Sequence, residues 1–241
     1  MKDKFISLIK TSKKISVITG AGISAESGVP TFRGENGLWR SYRPEDLATP
    51  EAFTRDPKLV WEWYNWRREL ISNCTPNSAH LFISYLESLI PEFLLITQNV
   101  DGLHKRGGSR NIIEIHGSIW DIKCSKCLYL SENRDLPIIY PPLCPQCQNI
   151  LRPGVVWFGE SLDYRKLEES VNFIAASDLL IVIGTSGIVQ PVASLPFQGK
   201  QINKKLKIIE INPTSTPITN ISDLFIKEPS AKFLSDLKIF S

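Results

Sequence analysis

Short, largely apolar runs separated by amphipathic stretches run through this chain. Ile15–Thr19 is the first and stops abruptly at Gly20-Ala-Gly22; Phe93–Ile96, Ile112–Ile115, Val155–Phe158, Leu179–Ile183 and Leu206–Ile211 follow. These runs are apolar rather than alternating, the mark of strands buried on both faces. Between them the pattern predicts helices over Pro57–Ile71, Pro76–Ser88 (with Asn73 or Thr75 as its cap) and Tyr164–Ala176, and a last one over Ser230–Phe240. Gly34–Pro50 has no period and reads as an extended loop. Ser118–Ile150 is rich in Cys and Pro and reads as an inserted module. Strands alternating with helices predict an α/β fold with a parallel sheet covered on both faces. Polar or glycine-rich residues follow several strands directly, at the carboxyl edge where open α/β sheets bind ligands.

Composition adds boundaries. A chain of 241 residues can hold one large domain, or a domain plus a small insert, and can bury a core without disulfides. The 42% hydrophobic and 22% charged content excludes low-complexity disorder. The net charge of +3 forms no dense basic stripe, so a nucleic-acid partner is not expected. Lys2, Lys4, Lys10, Lys13 and Lys14 read as a solvated helix face. No apolar run approaches the roughly 18 residues that span a bilayer, and Met1–Lys10 is too polar for a secretory signal, so no membrane association and a cytoplasmic location are expected.

Three groups of residues carry chemistry. Gly20-Ala-Gly22-Ile-Ser24-Ala25 after the first strand has the form of a phosphate-binding turn, with Ala in the third glycine position; a plain turn is the alternative. The acid that usually binds ribose after a second strand is missing, and Arg33 in the following loop is available for the ligand or for a salt bridge. Cys124-x-x-Cys127 and Cys144-x-x-Cys147 form two knuckles whose four thiolates suit tetrahedral Zn2+, with no open position and therefore a structural role. Cys74 lies outside this pattern and reads as a core residue. Of the three histidines, His116 closes a strand at the ligand edge, where a neutral imidazole can act as a base or simply serve the structure. His80, within a helix, reads as a packing or capping residue.

The blocks Gly20–Arg33, Thr97–His104, Glu114–Gly117, the four cysteines, Val155–Glu160, Gly184–Ser186 and Ile211–Pro213 occur in the order seen in sirtuins, and the resemblance covers about Lys13 to the terminal helix. It implies a Rossmann-like NAD-binding domain (1–33, 91–117 and 151–241), a loop and helical insert contributing the acyl pocket (34–90) and a zinc-ribbon domain (118–150). It further implies that NAD is held by Gly20, Ala21, Gly22, Ser24, Ala25, Phe32, Arg33 and Trp39, with Gln98, Asn99 and Asp101 around the nicotinamide ribose. Gly184, Thr185, Ser186, Asn212, Thr214 and Ser230 match the adenosine side. Val155, Val156, Trp157, Phe158 and Gly159 resemble the strand that pairs with an acyl-lysine peptide. His116 matches the catalytic histidine of an NAD-consuming protein deacylase, whose products are nicotinamide, 2′-O-acyl-ADP-ribose and free lysine.

Tyr64 and Arg67 share one helix face at i, i+3, and a phenol beside a guanidinium fork suits a carboxylate. With Asp46–Pro50 and Trp61-Glu-Trp63 they resemble class III sirtuins, which remove succinyl, malonyl or glutaryl groups; deacetylation is expected to persist. The alternative has Tyr64 in the core and Arg67 paired with Glu62 or Glu69. Gly107, Leu128 and Gly154 depart from the family pattern at loop positions. Two other functions compete: a mono-ADP-ribosyltransferase using the same NAD site, and a zinc-ribbon adaptor without turnover. The Cys124–Cys147 segment holds only Lys126 and Arg134 as basic residues, a poor phosphate footprint.

Overall fold

The structure, a computed structural model, describes residues 1–32, 37, 38, 41, 43–235 and 237. Its strands are β1 (Lys14–Thr19), β2 (Glu92–Thr97), β3 (Ile112–Glu114), β4 (Gly117–Cys124), β5 (Leu130–Glu132), β6 (Leu151–Val155), β7 (Leu179–Ile183), β8 (Lys207–Ile211) and β9 (Leu224–Ile226). The α-helices are α1 (Lys2–Lys10), α2 (Gly22–Ala25), α3 (Pro44–Leu47), α4 (Pro50–Arg55), α5 (Pro57–Ser72), α6 (Ser78–Leu89), α7 (Leu103–Arg106), α8 (Tyr164–Ala175), α9 (Leu195–Ile202) and α10 (Ser230–Leu234).

Six strands form one sheet in the order β3-β2-β1-β7-β8-β9, and every pairing in it is parallel. Successive strand residues point to opposite faces. Ile15, Val17 and Ile181 therefore pack with α1, α6 and α10, while Ile18, Leu180 and Val182 pack with α8 and α9. Burial on both sides explains why these strands are largely apolar. From β1 the chain winds one way to β2 and β3, and from β7 it winds the other way to β8 and β9. The carboxyl ends of β1 and β7 thus flank a topological switch point, where such sheets open a ligand crevice.

A separate antiparallel sheet, β5-β4-β6, carries Cys124 at the end of β4. A third apolar cluster joins it to α3, α4 and α5 through residues such as Trp61, Trp63, Ile119 and Trp120. The Trp61 indole N–H donates to the Leu151 carbonyl at 2.8 Å across this junction.

Several expectations need correction. The stretch read as a loop to Pro50 contains α3 and leads into α4, whose Thr49 cap accepts the Ala52 N–H with Pro50 in the first turn. The cap of α6 is Asn77, not Asn73 or Thr75, and His80 completes its capping box. The apolar run at Val155–Phe158 is not a strand of the parallel sheet: the strand is Leu151–Val155, and it pairs with β4. The terminal helix spans Ser230–Leu234, and much of the remaining predicted length lies outside the described residues. Among the described residues no helix is long and apolar enough to cross a membrane.

Candidate active site

One cavity of about 1090 Å³ lies between the carboxyl edge of the parallel sheet and the α5–β6 region. Its floor is built where β1 and β7 end. Gly20 and Gly22 donate N–H groups to the Ile183 and Gly184 carbonyls at 3.0 and 2.8 Å. A Cβ on Gly22 would stand 2.8 Å from the Gly184 backbone, and one on Gly184 would stand 2.4 Å from the Ile23 nitrogen. Gly184 also adopts φ +60°. The glycines are thus needed for the two loops to interlock, which leaves their backbone facing the cavity.

Ala21, Ala25 and Phe32 join Gly20 and Gly22 on the lining, and Gln98 and Asn99 follow from the end of β2. The Gln98 amide donates to the Thr185 hydroxyl at 3.1 Å, tying two loops together. Gly184, Thr185, Ser186, Asn212, Thr214 and Ser230 close the far end. Asn212 donates to the Thr185 carbonyl at 2.8 Å. The Ser230 hydroxyl is buried without a partner among the described residues, an orphaned polar group of the kind a bound ligand satisfies.

Ser24 and Asp101 do not reach the lining. They form a buried layer behind it: Ser24 donates to the Asp101 carboxylate at 2.8 Å and accepts from the Asn99 amide at 3.1 Å. The other Asp101 oxygen accepts the Leu103 N–H at 2.8 Å. Burial raises the Asp101 pKa, opposed by these hydrogen bonds and by Arg67 and Arg106. Arg33 and Trp39 lie outside the described residues.

His116 occupies the turn between β3 and β4 and lines the cavity. Its Nδ1 stands 3.0 Å from the Gln98 carbonyl, which places the proton on Nδ1 and leaves Nε2 with its lone pair. Burial lowers the pKa, against the pull of the Gln98 bond, so the ring is neutral near pH 7. His80 and His104 are buried elsewhere; burial lowers His80 to about 4.

Tyr64 and Arg67 line the opposite wall with Trp63 and Trp157. Both are buried, but the alternative pairing for Arg67 does not occur. Glu62 pairs with Lys58, and among the described residues no hydrogen-bond or ion-pair partner meets the Arg67 guanidinium. It lies over the Phe32 and Trp63 rings at 4.7 and 5.0 Å, and burial lowers its pKa. Val155, Val156, Trp157, Phe158 and Gly159 complete this side. The Val156 and Phe158 N–H groups donate to the His116 and Ala48 carbonyls at 2.8 and 3.0 Å. The sequence reading did not name Glu26, Val100 and Glu160 as contacts, although each lies in a block it quoted (Gly20–Arg33, Thr97–His104 and Val155–Glu160); Leu162, Leu167 and Val189, also on the lining, stand in no such block, and only folding brings them to the edge.

Away from the cavity, the sulfurs of Cys124, Cys127, Cys144 and Cys147 all lie within 4.8 Å of one another. Backbone N–H groups of Lys126 and Cys127 approach the Cys124 sulfur at 3.3 and 3.4 Å. This is a cluster that can hold one metal ion with no coordination position left over. Cys74 is buried apart from it.

A two-sided α/β sheet with a nucleotide-sized crevice at its switch point, walled on one side by a sheet that bears a four-cysteine cluster, defines a narrow class of ligand-consuming or ligand-binding proteins. Known proteins narrow it further. The Sir2 family profile matches residues 20–191. An NAD-dependent protein deacylase of Aquifex aeolicus is 52% identical over 219 residues, 90% of each chain. The solved complex of a Sir2 homolog with NAD aligns with a TM-score of 0.91 at 48% identity, covering 98% of this chain and 92% of that one. A solved complex of Sir2 with a p53 peptide and NAD+ aligns at 0.86 and 31% identity, covering 98% and 96%. This chain belongs to the Sir2 family.

Proposed function

We propose that this protein removes acyl groups from protein lysines at the expense of NAD, yielding nicotinamide and O-acyl-ADP-ribose, and that it favours acyl chains ending in a carboxylate. The cavity fits the dinucleotide in size, and its glycine crossing and the unpartnered Ser230 hydroxyl suit the phosphate and adenosine ends. When bound, NAD supplies an activated ribose carbon whose nicotinamide leaves as the acyl oxygen arrives. The chain itself orients and excludes water. The neutral His116 Nε2 is the base for a ribose hydroxyl. Gln98 fixes that ring, and the Ser24–Asp101–Asn99 layer holds the Asn99 amide in place. A solved complex of Sir2 with a p53 peptide and NAD+ supports the Val155–Gly159 segment, the end of β6 and the turn after it, as the peptide-binding edge. The four cysteines hold zinc as a closed structural site, with thiolates suited to the reducing cytoplasm.

The single observation that carries the acyl preference is Arg67: a buried guanidinium facing the cavity, with no acid at hydrogen-bond or ion-pair distance among the described residues and the buried Asp101 acting on it only from farther off. Burying an unpaired cation costs several kcal/mol, a cost offset when an anion arrives. A peptide carrying succinyl-lysine should turn over far faster than the same peptide with the succinyl carboxylate methylated, the two differing in charge and little else. Equal turnover of acid and ester would remove the anion-receptor reading. Mass spectrometry of the products should show O-acyl-ADP-ribose; ADP-ribose attached to protein instead would point to transferase chemistry.

A further inference from the structure

The Tyr64 hydroxyl oxygen has one proton to give and lone pairs to accept with. The Trp157 indole N–H donates to it at 2.9 Å. Both side chains are 3% exposed, so water does not compete for that bond. The guanidinium one helical turn away, Arg67, is also purely a donor. With the indole donating to it and a donor-only guanidinium as its charged neighbour, the Tyr64 proton finds no acceptor among the described residues and is left for whatever enters the cavity.

Trp157 is itself clamped. The Arg152 guanidinium lies 3.4 Å from its ring centroid. Arg152 is held by both oxygens of Glu160 and donates to the Val155 carbonyl at 3.1 Å. Glu160 also accepts the Trp157 backbone N–H at 2.8 Å, and the Phe53 ring packs 5.3 Å away. A cation over the indole face draws density from the ring and strengthens its N–H as a donor. The indole therefore has one orientation, and its N–H one target.

We propose that Trp157 is a positioning residue for acyl selectivity: by filling the acceptor side of the Tyr64 hydroxyl, it aims that hydroxyl's proton at the carboxylate of the acyl group. The role rests on the acidic-acyl reading above and goes beyond it, because Trp157 need not touch the carboxylate. A neutral acetyl group offers no acceptor at that depth, so the device acts on the ratio of substrates.

Two replacements isolate the indole N–H in the full-length protein. Trp157→Phe keeps an aromatic ring. Site-specific 3-benzothienylalanine keeps the bicyclic shape with sulfur in place of N–H, and serves if the Phe variant fails to fold. kcat and KM are measured with NAD on succinyl-lysine and acetyl-lysine peptides. The expected result is a fall of about tenfold in the succinyl-to-acetyl ratio of kcat/KM, carried by KM for the succinyl peptide. In a Tyr64→Phe background the same replacement should move the ratio by less than about twofold, because the two side chains act as one unit. An unchanged ratio, or an undiminished fall without the Tyr64 hydroxyl, overturns the role of Trp157 while the acyl preference stands. A wild-type protein that does not prefer succinyl to acetyl overturns the preference itself, and this role with it.

Discussion

Helix α5 carries two buried arginines in succession, and its two faces treat them in opposite ways. Arg68 turns toward the cysteine-bearing sheet, where it donates to the Ile119 carbonyl at 2.9 Å, to the Asn133 carbonyl and side chain at 2.6 and 2.8 Å, and to the Asp135 carbonyl at 3.1 Å. Arg67 turns toward the cavity, lies against two aromatic rings and bonds to no acceptor among the described residues. Residue type and depth are the same; the partners decide the role. A buried cation whose two terminal nitrogens are both taken, as in Arg68, fastens two parts of a structure, whereas one whose donors are idle at a cavity wall is a receptor kept at a cost.

The largest effect should come from the metal proposed for the four cysteines, on the Arg68 side. Chelation, or Cys144→Ser, forfeits binding free energy on the order of 10 kcal/mol and should unfold the β4–β6 region. Zinc content and limited proteolysis follow this; a chelated protein with unchanged melting would dismiss the metal's structural role. Next, Arg68→Met should cost about 3–5 kcal/mol by stranding buried carbonyls, whereas Arg67→Met should be neutral or stabilising. Denaturant midpoints decide between them, and equal losses would erase the distinction drawn between the two faces.

The same contrast separates the histidines, with smaller effects. His80 fastens: it caps α6, and burial holds it at about 4. Below about pH 6.5 the unfolded chain binds a proton that the folded chain refuses, so stability falls as pH drops from about 6.5 to about 4, by up to about 3 kcal/mol. His80→Gln keeps the capping acceptor and should remove the His80 share of this slope, leaving that of the buried His104 packed against it. His116 is the proposed base: its lowered pKa would put the acid limb of kcat/KM below the ordinary imidazole value of about 6.5, and His116→Ala should cost roughly 10²–10⁴ in turnover. An acid limb above about 7 would disqualify this imidazole as the base.

How far the sequence alone reveals this depends on the range of the interaction. Strands β1, β2, β7 and β8 are legible because burial on both faces leaves an apolar run whatever the tertiary detail. The zinc-like knuckles and the Gly20–Gly22 turn are legible because their spacing is local. Helix α4 was within reach, since Thr49 and Pro50 form a start signal, but its polar first turn hid it among loop residues. The register of Leu151–Val155 against β4 was not, because an apolar run does not say which sheet it joins. Ser24 and Asp101 looked like ligand contacts and lie one layer behind, a distinction of depth that no spacing carries. Tyr64 and Trp157, distant in the chain, meet only through the fold.

Because the acyl preference hangs on the idle guanidinium, Arg67→Met is the variant that decides it. Comparing kcat/KM for succinyl-lysine and acetyl-lysine peptides in wild type and variant, the preference for succinyl should collapse by about a hundredfold, the worth of two charge-assisted hydrogen bonds, while the variant melts no lower than wild type. A variant that loses both activities by the same factor, or keeps its preference for succinyl, would contradict the receptor role of Arg67.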